Sequence, residues 1–468
     1  MLAETRLGIE ASHYLSLILD SPSSKEPLLA ATGGLPLALS SRIESDLRVL
    51  EKHHIKPVFV FPGLLPAKRP RPLNGHEYTD PCRDRKEAWA KYEAGQEDLA
   101  QKLFESRSCI SQWDIWRSVL RIFRHRNVEF IIAPYVSWAQ VCVFLIIGSE
   151  RPKPSRQLIY LQRHTKSYIH AVFGPTETFL YAGVDKLITS LDFAAQTPTF
   201  QFASKRALMS DLGLTEEQFL DTGLLAGCDH LPTFPPTVHE QSLKSFVDMM
   251  KYYKSGHAAV NAFLEHPGVK QTGYMESYCR ARSMVKYSLI LSSDGNVMPL
   301  PLVLPSPAQT SSHHNHHPHH VTAADIPQDL HDVFTHRLPD EIYFYLSRGL
   351  IGPQVLVWLT SGQVNEAPPL DNGETNEYRR FVKEVITEGV TGPRATALAL
   401  VSSVVNNFWA SRRVLGAFWF EPGPVSTQKP IMHSSVQTTQ LAERVAGWNV
   451  TSTLVEEELR RQNVSCYW

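Results

Sequence analysis

Three acidic residues stand just after short apolar runs in the first half of the chain. Glu10 ends the run LGIE, Glu177 follows AVFGPT, and Asp229 follows LLAGC. Two-metal phosphodiesterases hold Mg²⁺ near the attacking and leaving oxygens with carboxylates gathered in this way. Glu10, Glu177 and Asp229 are therefore of the residue type that such chemistry would use.

The elements that would position these acids alternate between strands and helices. Residues 7–12 and 56–61 form short runs rich in Ile, Val and Phe, as buried parallel strands do, and 37–53 between them has apolar residues at helical spacing. The alternation predicts an α/β fold with a parallel sheet flanked by helices. Further strands are predicted at 128–134, 169–173 and 185–193.

Two predictions concern elements outside this sheet. The charged stretch 84–107 predicts one long, exposed helix. The segment 287–301 predicts a hairpin, because Asp294 and Gly295 form a turn signal between two apolar runs.

Four segments, taken together, resemble a known superfamily. They follow the order found in the XPG and flap-endonuclease superfamily, and this resemblance implies a PIN-like fold. It also implies that carboxylates close these segments. The segments are LGIEAS (7–12), VFVFPG (58–63), IIAPYVSWAQ (131–140) and LLAGCDH (224–230).

The chain departs from that superfamily at most of the acidic positions. Pro62, Val136 and Trp138 stand where the resemblance implies acids, and none of these side chains can bind Mg²⁺ or act as an acid or base. The resemblance implies Glu10, Glu177 and Asp229 as the remaining candidate catalytic residues, with Glu10 and Asp229 as candidate metal ligands. Because the other acids are missing, it also implies a catalytically degenerate scaffold in which these three residues are vestigial. No cofactor is expected, and Mg²⁺ is the ion of any residual metal site.

A second departure concerns duplex binding. Active relatives carry a glycine-rich helical hairpin after the last acid, whereas this chain has LPTFPPTV at 231–238. Proline-rich backbone lacks the glycines and several of the N–H donors that let a phosphate approach closely. We therefore do not expect this segment to grip a nucleic-acid duplex.

A narrower resemblance rests on longer segments. They are similar to the fungal maintenance-of-killer-toxin family of post-transcriptional regulators. This resemblance implies a cytoplasmic, mRNA-linked regulator that acts with a poly(A)-binding-protein-binding partner of the ataxin-2 type. The segments are APYVSWAQ (133–140), GPTETFLYAGVDKLIT (174–189), RDRKEAWAKYEAG (83–95) and LPDEIYFYLSRGLIGPQ (338–354).

Three functions remain open at this point. The leading one is a non-enzymatic scaffold that regulates mRNA translation or stability through protein and RNA contacts. The second is a metal-dependent, structure-specific endonuclease acting on DNA or RNA with Glu10, Glu177 and Asp229. The third is a protein-interaction module without nucleic-acid binding.

Composition excludes some classes of protein but does not select one of these three functions. The net charge of −1 excludes a global basic field of the kind that marks many nucleic-acid-binding proteins. The longest apolar run, 141–148, is too short to span a bilayer, so no membrane association is expected. The six cysteines lack C-x-x-C spacing, which favours reduced thiols inside the cell. A local basic patch remains a candidate nucleic-acid-binding surface, against the alternative of a solvated loop, and comprises Lys68, Arg69, Arg71, Arg83 and Arg85.

A length of 468 residues predicts two or three domains. The last region carries clustered aromatic residues, which form either a partner groove or, in the alternative, ordinary core. The predicted divisions are an XPG/PIN-like nuclease-fold domain at 1–240 (with an N region at 1–110 and an I region at 125–230), a helical extension and hairpin at 241–304, a His-rich linker at 305–325, and a second, mostly α-helical domain at 326–468.

Two segments depart from the narrower family. Residues 141–157 interrupt what would otherwise be a continuous helical pattern, and removing them joins WAQ directly to LIYLQRH. We interpret this segment as a retained intron, with a genuine surface loop as the alternative. The chain also ends before the set of helices in its second domain is complete, which predicts a C-terminal truncation relative to the family.

Overall fold

The structure of the chain is a computed structural model. It describes residues 2–64, 66, 83–106, 109–146, 169–193, 198–239, 242–292, 295–300, 326–327, 330–334, 337–366, 369, 374–402, 405, 407–421 and 430–431. Several predictions lie outside these residues: most of the basic patch, the His-rich linker, the portion of the proposed insert after residue 146, and the segment after residue 431.

A six-stranded sheet forms the centre of the first half of the chain. Its order is β3-β2-β1-β4-β5-β6; the first five strands run parallel, and β6 pairs antiparallel with β5. This sheet confirms the predicted α/β fold class. The strands are β1 (Arg6–Glu10), β2 (Lys56–Phe61), β3 (Glu129–Ile132), β4 (Ala171–Phe173), β5 (Lys186–Asp192) and β6 (Thr199–Ser204).

Strand β2 forms where it does because its side chains are apolar on both faces. In β2, Val58, Phe59, Val60 and Phe61 are all buried, as expected for a strand covered by helices on both sides. The flanking helices are α1 (Ala11–Asp20), α2 (Pro27–Ala31), α3 (Leu37–Lys52), α4 (Arg83–Glu93), α5 (Glu97–Phe104), α6 (Gln112–His125), α7 (Ser137–Ile146), α8 (Lys205–Leu212) and α9 (Glu216–Ala226).

Helix α6 shows how these helices attach to the sheet. Trp116 and Phe123 lie on its buried face, and their rings contact those of β2, at 5.5 Å for Phe61–Trp116 and 4.3 Å for Phe59–Phe123 between ring centroids. Burying one such side chain contributes roughly 1.5–3 kcal/mol. Aromatic packing therefore fixes this helix against β2.

Two elements differ from the prediction. The stretch predicted as one helix at 84–107 is a helical hairpin of α4 and α5, because Gly95 adopts a left-handed φ of 72° that ends the first helix. Strand β6 was not predicted, because its sequence TFQFAS interrupts the apolar residues with polar ones and most of its side chains stay at least partly exposed.

A helical extension and a hairpin follow the first sheet. The predicted hairpin is confirmed, with β7 (Leu289–Leu291) antiparallel to β8 (Val297–Pro299). The extension consists of α10 (Leu243–Tyr253), α11 (Gly256–Ala262), α12 (Pro267–Thr272) and α13 (Tyr274–Lys286).

The second domain is mostly helical where the structure describes it. Its two strands are parallel to each other, and a π-helical turn, Val382–Thr387, extends α17. The elements are α14 (Leu330–Phe334), α15 (Asp340–Ser347), α16 (Pro353–Ser361), β9 (Gln363–Glu366), α17 (Asn376–Phe381), α18 (Pro393–Ser402), α19 (Asn407–Ala410) and β10 (Leu415–Phe418).

The second domain shares one hydrophobic core with the first. Tyr343 on α15 hydrogen-bonds Tyr135 hydroxyl to hydroxyl at 3.0 Å, and Arg124 on α6 donates to the Gly349 carbonyl at 2.8 Å. The α15 helix therefore lies directly behind the third segment of the superfamily pattern. Among the residues that the structure describes, no helix has the length and apolarity to cross a membrane.

Candidate functional site

A small cleft lies where the parallel strands end. Its volume is about 100 Å³. In parallel sheets, ligands bind outside the carboxyl ends of the strands, and the superfamily resemblance places its acids there. The residues that line the cleft are Glu10, Ser12, His13, Ser16, Pro62, Ser137, Trp138, Pro175, Glu177 and Asp229.

The backbone of the cleft is shaped by close contacts between the second and third segments. The Gly63 and Leu64 N–H groups donate to the carbonyls of Tyr135 and Pro134 at 2.8 and 2.9 Å. A Cβ atom at Gly63 would lie 1.9 Å from the Ala133 carbonyl oxygen. Only glycine fits at this crossing, so its position has a structural reason independent of catalysis.

Glu10 lies at the end of β1 and caps helix α1. One carboxylate oxygen accepts from the His13 N–H at 2.5 Å, and the other accepts from the Ser137 hydroxyl at 2.6 Å. Burial raises the pKa of Glu10 from 4.5 to about 7, because lost hydration outweighs these hydrogen bonds. Both oxygens thus accept hydrogen bonds from protein donors, and burial makes the anion less favourable than it is in water.

Glu177 and Asp229 lie on the other side of the cleft, both half-buried. Glu177 lies in the 3₁₀ turn Thr176–Leu180 after β4, and its carboxylate accepts from the neighbouring Thr176 hydroxyl at 3.4 Å. Asp229 lies in the turn closed by the Cys228–Leu231 bridge. The structure therefore brings all three predicted acids to one cleft. Across the described residues, however, no group of three His, Cys, Asp or Glu side chains has a spacing that fits a metal ion.

The non-acidic replacements occupy the rest of the site. Val136 is part of the core, and Pro62 forms one wall of the cleft. The Trp138 ring lies 5.4 Å from His230 and 6.3 Å from Tyr181, and Tyr181 and His230 hydrogen-bond at 3.2 Å. An aromatic cluster thus stands behind the acids. These residues do not fit a two-metal centre, and we derive no catalytic step through one.

Tyr135 does not line the cleft, although Trp138, three residues later, does. Its ring packs against Phe334, with 5.2 Å between centroids, and its hydroxyl reaches Tyr343. The backbone turns between Tyr135 and the start of α7 at Ser137, so Tyr135 faces the second domain while Trp138 faces the acids.

His13 is a site residue that the sequence argument missed. It follows Glu10 by three positions in the first turn of α1, and its Nε2 is buried without a hydrogen-bond partner among the described residues. Burial lowers the pKa of His13, and the nearby Glu177 carboxylate partly opposes that shift. The signal in the sequence was the spacing from Glu10, because an N-cap residue brings the first helical turn to its own side chain.

The predicted basic patch is described only at its helical end. Lys68, Arg69 and Arg71 lie outside the described residues, and Arg83 is described only as the first residue of α4. Arg85 is 2% exposed, and its guanidinium donates to the Ala30 carbonyl at 3.5 Å. Arg85 is therefore not placed to contact a phosphate, because α4 packs this side chain against α2.

The proline-rich segment after Asp229 belongs to the core. Phe234 is fully buried, with its ring 5.3 Å from Tyr274 and 5.8 Å from Phe263. The Tyr274 hydroxyl donates to the Pro232 carbonyl at 2.8 Å. The proline-rich segment therefore packs between the end of α9 and the helices α12 and α13.

The clustered aromatics of the second domain divide between core and surface. Tyr343, Trp409 and Phe418 are buried, which agrees with the core alternative. Tyr345 and Phe408 are 44% and 51% exposed, so some of the cluster remains at the surface.

Comparison with known proteins places the chain in a family. The model of the MKT1_N family, described as "Temperature dependent protein affecting M2 dsRNA replication", matches residues 327–420. The post-transcriptional regulator MKT1 of Cryptococcus neoformans var. grubii is 43% identical over 469 residues, which cover 99% of this chain and 57% of that protein. The post-transcriptional regulator mkt1 of Schizosaccharomyces pombe is 28% identical over 397 residues, covering 76% and 45%. The chain thus spans about half the length of these relatives.

Among solved structures, flap endonuclease-1 from Methanococcus jannaschii aligns with a TM-score of 0.38 and 13% identity, covering 61% of this chain and 78% of that one. The sequence relatives and the matching family model agree with the segments that suggested the narrower resemblance. The chain belongs to the family of the MKT1 post-transcriptional regulators.

Proposed function

We propose that this chain is a catalytically inactive nuclease-fold scaffold that regulates mRNA translation or stability through protein and RNA contacts. The observation that carries the proposal is the state of Glu10: both its oxygens accept hydrogen bonds from the protein, and its pKa is raised to about 7. Trp138 and Pro62 stand where further acids would be needed. The relatives named as post-transcriptional regulators support the regulatory half of the proposal.

The proposal includes a cytoplasmic location and a specific kind of partner. We propose that a poly(A)-binding-protein-binding protein of the ataxin-2 type binds this chain and links it to mRNA. Support comes from the family alone, since the relatives regulate expression after transcription. Affinity purification of the full chain from extract, with and without ribonuclease, tests this partner. The proposal expects the partner to be retained after ribonuclease treatment.

A metal-dependent endonuclease is the second candidate, and one observation favours it. Glu10, Glu177 and Asp229 line the same cleft, next to the imidazole of His13. A nuclease needs carboxylates gathered in this way.

One experiment separates the two candidates. The full chain, and a variant carrying Glu10→Gln, Glu177→Gln and Asp229→Asn, are tethered to a reporter mRNA in cells. The scaffold proposal expects equal regulation by both proteins. It is overturned if the variant loses regulation while remaining folded and equally abundant, and if the purified wild type cleaves flap or single-stranded substrates with Mg²⁺ or Mn²⁺.

RNA binding is tested separately by crosslinking the purified full chain to single-stranded RNA at several salt concentrations. Binding that weakens with salt, and with Lys68→Glu, Arg69→Glu and Arg71→Glu, supports the RNA contacts. Absence of crosslinking at low salt would favour the pure interaction module.

A further inference from the structure

The second domain exposes apolar side chains along one face of α17 and its π-helical turn. Phe381 and Val385 are each 50% exposed, and Tyr378, one turn earlier, is 37% exposed. Val382 between them is buried against the domain. We call Tyr378, Phe381 and Val385 the α17 stripe. Apolar side chains grouped at the surface in this way mark contact sites, and π-helical turns recur at functional positions.

The α17 stripe continues onto the end of β10. The Tyr378 ring lies 6.3 Å from that of Trp419. Lys383, on the π-helical turn, pairs with Glu421 at 2.6 Å and lies over the Phe418 ring. Lys383 and Glu421 are thus already paired within the domain. A segment that covers the α17 stripe would therefore not have to dehydrate an unpaired charge at this pair.

The chain leaves the described structure next to this surface. The Ile431 N–H donates to the Val414 carbonyl at 2.7 Å, and Pro430 is bridged to Leu415 on β10. Leu441 follows ten residues later in the sequence. Ten extended residues reach up to about 33 Å, whereas the strand Leu415–Phe418, whose last residue contacts Lys383 of the π-helical turn, spans only about 10 Å.

The sequence that follows carries a matching apolar pattern. Five of its large apolar residues recur at intervals of 4, 3, 7 and 4, which place these five on one face of a helix. Val450 and Leu454 fall on the opposite face of the same pattern. The residues on the apolar face are Leu441, Val445, Trp448, Val455 and Leu459.

We propose that residues 441–459 of this chain dock their apolar face on the α17 stripe. The contact is independent of the proposed regulatory function. It makes the stripe an interaction surface whose occupant comes from the same polypeptide.

Site-specific photocrosslinking in the full chain tests this contact. A benzophenone amino acid replaces Phe381, and the crosslinked peptides are identified after irradiation and digestion. The expected product is an intramolecular crosslink to peptides from 441–459. The same amino acid at Leu264, an exposed position on the helical extension, serves as a control and should not reach that segment.

Matched substitutions sharpen the test. The double substitution Val445→Glu and Trp448→Glu should lower the crosslink yield at least about tenfold. Burying a single apolar side chain already contributes more free energy than a tenfold change in the docking equilibrium requires. Val450→Glu, with the same charge on the opposite face, should leave the yield within about twofold. The proposal is overturned if the crosslinks are intermolecular, if they map elsewhere, or if Val450→Glu lowers the yield as much as the pair does.

Discussion

At the scale of single residues, the cleft is explained by what each of its side chains contacts. Glu10 retains the position expected of a metal ligand but works as a helix cap with a second hydrogen bond from α7. Trp138 joins His230 and Tyr181 in an aromatic cluster. The Glu10 carboxylate and the Trp138 ring, which line the same cleft, thus both make contacts that stabilise the fold.

The raised pKa of Glu10 predicts how stability depends on pH. The folded-state pKa is about 7 against an ordinary 4.5, so the folded protein binds a proton more tightly than the unfolded chain does. Glu10's favourable contribution is complete below pH 4.5 and is lost as pH rises through 7. Glu10→Gln removes this loss and should be more stable than wild type at pH 8, by at most roughly 3 kcal/mol, with the difference vanishing near pH 4.5.

Urea unfolding of both proteins at pH 4.5, 6 and 8 measures this difference. Glu265→Gln is a suitable control, because the Glu265 side chain is 90% exposed, and it should change the free energy of unfolding by less than about 0.5 kcal/mol at each pH. If Glu10→Gln destabilises the protein at pH 8, the carboxylate is held as an anion by a partner, and our account of the site is wrong.

At the scale of elements, the sequence predicted the strands that carry short apolar runs, including β3 and β5, whose side chains are only partly buried. Continuous apolar runs such as KPVFVF allow few alternatives. Strand β6 was missed because an edge strand is specified by its pairing with β5, and periodicity along its own sequence carries little of that information. Similarly, the α4–α5 hairpin depends on one glycine within a stretch that otherwise favours helix.

Gly95 offers a test of that hairpin. Its φ is +72°, and an added Cβ would meet nothing within 4 Å. Gly95→Ala should therefore destabilise the protein by about 1 kcal/mol through backbone strain alone. Gly352 is the matched control, because its added Cβ also meets open space while its φ of −70° suits any residue. Gly352→Ala should change the free energy of unfolding by only about 0.5 kcal/mol. Equal effects of the two substitutions would contradict the proposed cause.

The contact between Tyr135 and Tyr343 joins the two halves of the molecule. Because their hydroxyls bond each other in the core, Tyr135→Phe and Tyr343→Phe should each cost about 1–2 kcal/mol. The double variant should cost less than the sum, with a coupling of about 0.5–1.5 kcal/mol. A double-mutant cycle in urea measures this coupling, with the exposed Tyr345→Phe as control. Additive effects would mean that the hydroxyls do not depend on each other.

At the scale of the whole molecule, the predicted domain division is less sharp than composition suggested. Composition locates a linker at 305–325, but it cannot show that elements on either side of it pack together. Tyr343, Phe334 and Tyr135 belong to one core that crosses this division. The α14–α15 region therefore completes the first domain as much as it begins the second.

The proposed insert is the remaining question about the whole chain. Helix α7 includes Val141 and Cys142, which are fully buried, so the segment interpreted as a retained intron begins inside the core. Deleting 141–157 would bring Leu158 and Ile159 to these two positions, with their apolar character preserved. The intron interpretation therefore expects the deletion variant to unfold cooperatively, with a free energy of unfolding no lower than that of wild type.

A deletion one residue shorter gives the matched control. Removing 141–156 places Gln157 where Val141 is now fully buried. A buried amide without a partner costs about 1–3 kcal/mol, and the rest of the helix would be shifted by one position, which turns its apolar face away from β1 and β4. Thermal and urea unfolding should thus show the 17-residue deletion intact and the 16-residue deletion strongly destabilised. If both deletions destabilise the protein equally, residues 141–157 belong to its native fold, and the helix that carries Trp138 requires them.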